Sequence, residues 1–167
     1  MRPILYSYFR SSSAYRVRIA LHLKNIDFEY RSVHLLKDGG RQKSVEYRKF
    51  NPRGEVPYFV DAGLGLGQSM AILNYLDRKW PQIRIFPDNH FYYAKCVQLC
   101  EDINSGIQPL QNLKVLDELK KRFNISDEAK ADWLKFWVSE GLSSLEKNLA
   151  EFPGKYSLGD NITAVDC

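Results

Sequence analysis

Asn51-Pro52-Arg53-Gly54-Glu55-Val56-Pro57, followed closely by Gln68-Ser69-Met70-Ala71-Ile72, places a turn, a proline-fixed extended segment and a polar helix start within one short stretch of chain. Proline lacks an amide donor, and X-Pro is the one peptide link whose cis form is cheap. Val56-Pro57 can therefore turn the chain and leave the Val56 backbone N–H and C=O facing outward. The sequence leaves that bond open between cis and trans. A peptide that pairs with such an edge gains affinity from main-chain hydrogen bonds, and a helix start bearing Gln68 and Ser69 can hold its charged end.

The segments on either side supply a frame for this ledge. Pro3 to Phe9 is an aromatic and β-branched run that reads as a strand, and Ser11-Ser12-Ser13 stands before apolar helical spacing from Ala14 to Lys24. Asp27 to Leu36 predicts a second strand, Lys37 to Gln42 a glycine-broken loop, and Ser44 to Phe50 a short helix. Tyr58-Phe59-Val60 and Leu64 to Leu66 predict a hairpin, with a helix over Ser69 to Trp80. The order βαβαββα predicts a small mixed sheet covered by helices, occupying residues 1–80.

Pro81 to Asn89 reads as a linker, and residues 90–167 as an all-helical domain. There Phe91 to Phe123 is one helical pattern broken at Pro109, and Asp127 to Ala150 is a second helix. Thr163-Ala164-Val165-Asp166 has the spacing of a capping box. A helix start with no helix body after it predicts that the chain is shorter than the fold it was built for.

Composition excludes several function classes. Of the 167 residues 44% are apolar, which is ordinary for a globular chain, and the net charge of +4 is spread among 20 acids without a basic run. No nucleic-acid partner is expected. Three cysteines without a CxxC motif argue against a disulfide framework and fit a reducing compartment. Cys96 and Cys100 share a helix face but lack further ligands, so core packing is expected and no metal. No segment has the length of a signal or a membrane span, and a soluble cytoplasmic protein is expected.

Ser11-Ser12-Ser13-Ala14-Tyr15-Arg16-Val17-Arg18-Ile19-Ala20-Leu21 resembles the motif of zeta-class glutathione transferases, the maleylacetoacetate isomerases. Ile107-Gln108-Pro109-Leu110-Gln111-Asn112-Leu113 resembles a second run of that class. The resemblance covers the whole chain and implies a thioredoxin-like domain followed by a glutathione-transferase-type helical domain, incomplete at its C-terminus. It further implies glutathione as cofactor, a small anionic electrophile as substrate and a homodimer. Carried onto matching positions, it makes Ser11 the hydroxyl facing the glutathione sulfur, with Ser12 and Ser13 beside it as catalytic neighbours. Val56 would pair with the cysteinyl backbone, Gln42 would meet the glycyl arm, and Gln68 and Ser69 would hold the γ-glutamyl end. Arg16 joins the glutathione-binding set, and Gln108 and Asn112 would line the site from the helical domain. Ser13 stands where the class usually has cysteine and Tyr15 where it has tryptophan, so no protein thiol in this motif takes part.

A thiol that is mostly protonated near neutral pH needs its thiolate stabilised, and a hydroxyl donor at a helix N-terminus acts in that direction. The implied reaction is thiolate addition to a cis maleyl double bond, rotation about the resulting single bond, and elimination to the trans isomer. The alternative is a non-catalytic glutathione-binding or protein-interaction module of the same fold. Arg16 and Arg18 are expected to attract a dicarboxylate at long range, with at least one of them on a solvated or salt-bridged helix face.

Overall fold

The computed structural model describes residues 2–167 and divides into two compact units, one reaching to Phe86 and joined by Cys167, the other spanning Pro87–Asp166. The division falls inside the segment read as a linker. Its residues up to Phe86 belong to the first unit, because Ile85 and Phe86 are buried and the Ile85 amide donates to the Asp77 carboxylate at 2.7 Å.

In the first unit β1 (Ile4–Ser7) lies between β2 (Glu29–Ser32), parallel to it, and β3 (Tyr58–Asp61), antiparallel, with β4 (Leu64–Gly67) at the edge beyond β3. Alternation sorts the strand side chains. Cross-strand partners Leu5 and Phe59 are buried, as are Val17, Ala20 and Leu21 of α1 (Ser12–Leu23) and Ile72, Leu73 and Leu76 of α3 (Ser69–Lys79), two helices that pack together. The neighbouring partners Tyr6 and Tyr58 point the other way and meet Tyr47 and Phe50 of α2 (Val45–Phe50), with the Tyr6 ring 5.0 Å from Phe50 and 6.0 Å from Tyr47. Gly65 belongs to this face, since a Cβ there would stand 2.1 Å from the Tyr58 hydroxyl.

The second strand is shorter than the pattern from Asp27 to Leu36 predicts. Val33 still donates to Ser7, but the next carbonyls leave the ladder: His34 accepts from the Arg41 amide at 2.9 Å and Leu35 from the Gln42 side chain at 3.2 Å. The expected glycine-broken loop is wound into 3₁₀ turns, Lys37–Gly39 and Arg41–Lys43, which meet at Gly40 with φ 98°.

Polar groups close the other end of this unit. Asp77, buried, accepts from Lys24 at 3.2 Å, from Arg84 at 2.7 Å and from the Ile85 amide, and Lys24 also donates to the Ile83 carbonyl.

In the second unit α4 (His90–Glu101) is capped by Asn89 and runs into a π-helical turn, Asp102–Ile107, and a 3₁₀ turn, Gln108–Gln111. The break expected at Pro109 occurs at Asn112. Proline is tolerated in the first turn of a helix, where its missing donor is not needed. Asn112 instead adopts an extended conformation and caps α5 (Leu113–Phe123) by accepting from the Lys114 amide at 2.9 Å. On α6 (Asp127–Leu149) Gly141 leaves room for Ile107, whose side chain lies 2.3 Å from where a Cβ would be. The Asp166 carboxylate accepts from the Thr163 amide and hydroxyl at 2.8 and 3.2 Å and from the Ser157 amide at 2.9 Å. Cys96 and Cys100 are buried on α4. The Cys100 thiol, the Ala164 and Val165 amides and Thr163 hold the Cys96 thiol below its usual range, against the opposing effect of burial. Among the described residues no helix is long and apolar enough to cross a membrane.

Removing one partner of a buried ion pair strands the other charge. Asp77→Ala is therefore expected to lower unfolding free energy by about 3 kcal/mol or more. Urea titration of the variant measures it, and a loss below about 1 kcal/mol would show that Lys24 and Arg84 find water instead.

Candidate functional site

The site of the first unit begins with the start of α1. Ser11 is extended (φ −85°, ψ 117°) and its Oγ accepts from the Ala14 amide at 3.2 Å, so the serine run supplies the N-cap. Ser12 faces solvent on the first turn. Ser13 turns inward, with its Oγ 3.2 Å from Ser11 Oγ and donating to the Val56 carbonyl at 3.3 Å. The carbonyl expected to face outward is therefore tied to α1, although its second lone pair stays available.

Val56-Pro57 is cis. The turn before it is held from beneath by α2 and its C-cap: Tyr47 Oη and the Asn51 side-chain amide each donate to the Glu55 carbonyl at 2.7 Å, and Asn51 also reaches Tyr47 Oη at 3.4 Å. Tyr8, Ala14, Val33, Tyr47 and Val56 form one buried cluster under the turn and the helix start. Gly54, at φ 60°, lets the turn approach the loop bearing Gln42, because a Cβ there would stand 2.8 Å from the Gln42 carbonyl oxygen.

Gln42 is buried rather than projecting from its loop. Its Nε2 donates to the Leu35 carbonyl, which fixes the orientation of the amide, and its buried Oε1 has no donor among the described residues. Gly40 provides the space, since a Cβ at that position would lie 2.8 Å from Gln42 Nε2 and 2.9 Å from its Oε1. A buried acceptor in this state suits an incoming N–H.

Gln68 is exposed, with φ 65°, and directly precedes α3 without a side-chain capping bond. Ser69, the first residue of α3, is buried and accepts from Arg16 Nη1 at 2.8 Å. Of the two arginines Arg16 is the buried one: α1 packs on α3, which turns position 16 inward and leaves it 5% exposed. Arg18 is engaged locally, donating to the Phe9 carbonyl at 3.2 Å with its guanidinium 4.8 Å from the Tyr15 ring centre. Gln108 and Asn112 belong to the helical unit, where Asn112 serves as a cap.

Electrostatics give this arrangement a direction. The Arg16–Ser69 bond makes the first turns of α1 and α3 neighbours, and neither first turn carries an acidic residue. Two positive helix ends therefore lie close together, which favours an anionic ligand.

Sequence reasoning missed the supporting residues. Tyr47 acts on the Glu55 carbonyl from what reads as an ordinary helix position, and Asn51 from the start of the turn itself. Their only signal is a polar side chain just before the Pro-Arg-Gly turn.

Residues 1–78 match the glutathione S-transferase N-terminal domain. Maleylacetoacetate isomerase of Dictyostelium discoideum is 43% identical over 165 residues, covering 99% of this chain and 75% of that protein. The chain belongs to the zeta class of glutathione transferases. Among solved structures, a bacterial zeta-class maleyl pyruvate isomerase superposes with a TM-score of 0.92 at 33% identity, covering 98% of this chain and 77% of that one. Maleylacetoacetate isomerase from Anaeromyxobacter dehalogenans, solved with glutathione in its active site, gives 0.86 at 38% identity, covering 99% and 76%. The thioredoxin-like sheet followed by a helical domain is the architecture expected from the serine motif.

Burial pushes the Tyr47 phenol up to about 12. An unfolded tyrosine ionises near pH 10, so below that pH both states keep the proton and the support of Glu55 is complete. Between about pH 10 and 12 only the unfolded chain ionises, and stability falls as pH rises. Denaturant titrations across this window should show a slope that shrinks in Tyr47→Phe by up to about 1.4 kcal/mol per pH unit. An unchanged slope would mean that Tyr47 ionises as freely in the folded chain.

Proposed function

We propose that this zeta-class chain is a glutathione-dependent isomerase that converts maleylacetoacetate to fumarylacetoacetate, with accompanying transferase activity toward small electrophiles. The observation that carries the reading is that the α1 start, the cis Val56-Pro57 turn and Ser69 form one hydrogen-bonded unit through Ser13 and Arg16. The residues fit glutathione. Gln42 offers a buried acceptor without a donor among the described residues, the turn offers a peptide-pairing edge at Val56, and the neighbouring helix starts offer a positive field for a carboxylate and a sulfur anion.

Bound glutathione supplies the thiolate nucleophile and is recovered unchanged. Ser11 is assigned the proton that faces the sulfur. Ser13 directs its single proton to Val56, so the proton shared by the two hydroxyls comes from Ser11, and this proton can turn toward an incoming anion. The Ser11 oxygen at the same time accepts from the Ala14 amide, which polarises the hydroxyl and couples it to the helix dipole. Ser13 acts as a strut between helix and turn, which a thiol, as the weaker donor, would hold less firmly. Ser69 and Gln68 hold the γ-glutamyl end, Val56 the cysteinyl backbone and Gln42 the glycyl arm.

In this reading the substrate is a small dicarboxylate, and the protein works as a cytoplasmic homodimer. Support for the last point is class membership. Sedimentation equilibrium is expected to give twice the chain mass, and a monomer at micromolar concentration would remove the dimer from the reading.

Replacing Ser11 by alanine is expected to lower kcat for cis–trans isomerisation by about a hundredfold, with glutathione Kd changed less than about threefold. The cap bond is lost too, at about 1 kcal/mol of stability. Ser11→Asp retains a capping acceptor and should recover stability but not turnover. Full turnover by Ser11→Ala at saturating glutathione would exclude the serine from the chemistry, and absence of turnover by the native chain would favour a binding module.

A further inference from the structure

His34 was not singled out by the sequence, and it occupies a controlling place in the Gln42 loop. Its imidazole Nδ1 accepts from the Leu36 amide at 3.2 Å and from the Lys37 amide at 3.0 Å, which places the ring proton on Nε2. The ring packs at a tilt against Tyr8, 4.8 Å between ring centres, and edge-on to Phe9 at 6.5 Å, the residues that lead from β1 toward Ser11. Its carbonyl accepts from the Arg41 amide at 2.9 Å. One residue therefore holds the loop at both ends, the side chain at its first turn and the main chain where it closes.

Gln42 lies directly after that closure. Its amide reaches back to the Leu35 carbonyl, in the peptide between His34 and the amides that its ring holds, and its Oε1 is buried without a donor among the described residues. Gly40 has φ 98° and nothing larger fits there, so the loop has no side chain of its own at its apex to prop the Gln42 amide in place. Asp38 and Arg41 of the loop pair with each other at 3.3 Å on its exposed side.

We propose that His34 is a positioning residue for glutathione binding, acting through the loop amides of Leu36 and Lys37 to hold the Gln42 side chain where it accepts a peptide N–H. This rests on the reading of Gln42 as a glutathione contact. The tilted and edge-on ring contacts with Tyr8 and Phe9 place Nδ1, and Nδ1 sets the first turn of the loop. Asparagine carries its Oδ1 the same number of bonds from the backbone as histidine carries Nδ1, so it preserves the acceptor without the ring. Phenylalanine preserves the ring without the acceptor.

The test uses the whole chain and three variants, His34→Phe, His34→Asn and Gln42→Ala. In the glutathione-free protein, hydrogen exchange at the Leu36 and Lys37 amides should accelerate in His34→Phe and stay close to native in His34→Asn. By calorimetry His34→Phe should bind glutathione about tenfold more weakly, and His34→Asn within about threefold of native. Isomerase kcat at saturating glutathione should be unchanged in both, because Ser11 is untouched. Native glutathione affinity in His34→Phe, or equal weakening in Phe and Asn variants, would overturn the acceptor role. Gln42→Ala separates the premise: if it binds glutathione normally while exchange still responds to His34, the assignment of Gln42 fails and the loop anchor alone stands.

Discussion

The hydrogen bond from Arg16 to Ser69 is the constraint on which the first unit turns. A guanidinium that is almost wholly removed from water is costly unless its donors are satisfied, so this contact fixes how α1 lies against α3. Once that register is set, the starts of both helices are neighbours. Ser13, three residues earlier on α1, then falls within reach of the Val56 carbonyl. The ligand-facing geometry is thus a by-product of helix packing, and the site needs no flexible segment to assemble it.

Much of this was legible from residue types. Serines at 11, 44 and 126 cap helices because a hydroxyl before a helical run has an amide three residues on to accept from. Alternation in Tyr58-Phe59-Val60 placed the hairpin because one face is buried. What escaped the sequence depends on groups distant in the chain. The length of β2 is decided by Arg41 and Gln42 capturing the next carbonyls, which no periodicity records. Arg16 reads as a polar helix position until α3 is laid beside it. The Val56-Pro57 isomer is chosen by a turn whose supports come from α2. Pro109 drew attention as a breaker, yet the chain changes direction where Asn112 can cap, since a proline in a first turn breaks nothing.

The helical unit shows the same economy of polar groups. Asp166 gathers three donors from two separate segments, Ser157 and Thr163, so one carboxylate closes the loop after α6 and sets the final 3₁₀ turn. That turn delivers the Ala164 and Val165 amides to Cys96. The cysteine on this helix face is thus tied by polar contacts to the closing turn of the unit.

Asp77 carries an implication for dissecting the molecule. The strand and helix pattern ends at Trp80, and a cut made there would look natural. Such a cut would remove Arg84, the Ile83 carbonyl and the Ile85 amide, leaving Lys24 and Asp77 facing each other inside an opened wall, with the apolar cover of Ile85 and Phe86 gone. Excision of a self-standing thioredoxin-like fragment should therefore extend through Phe86, six residues of apparent linker being the plug that keeps that end of the sheet dry.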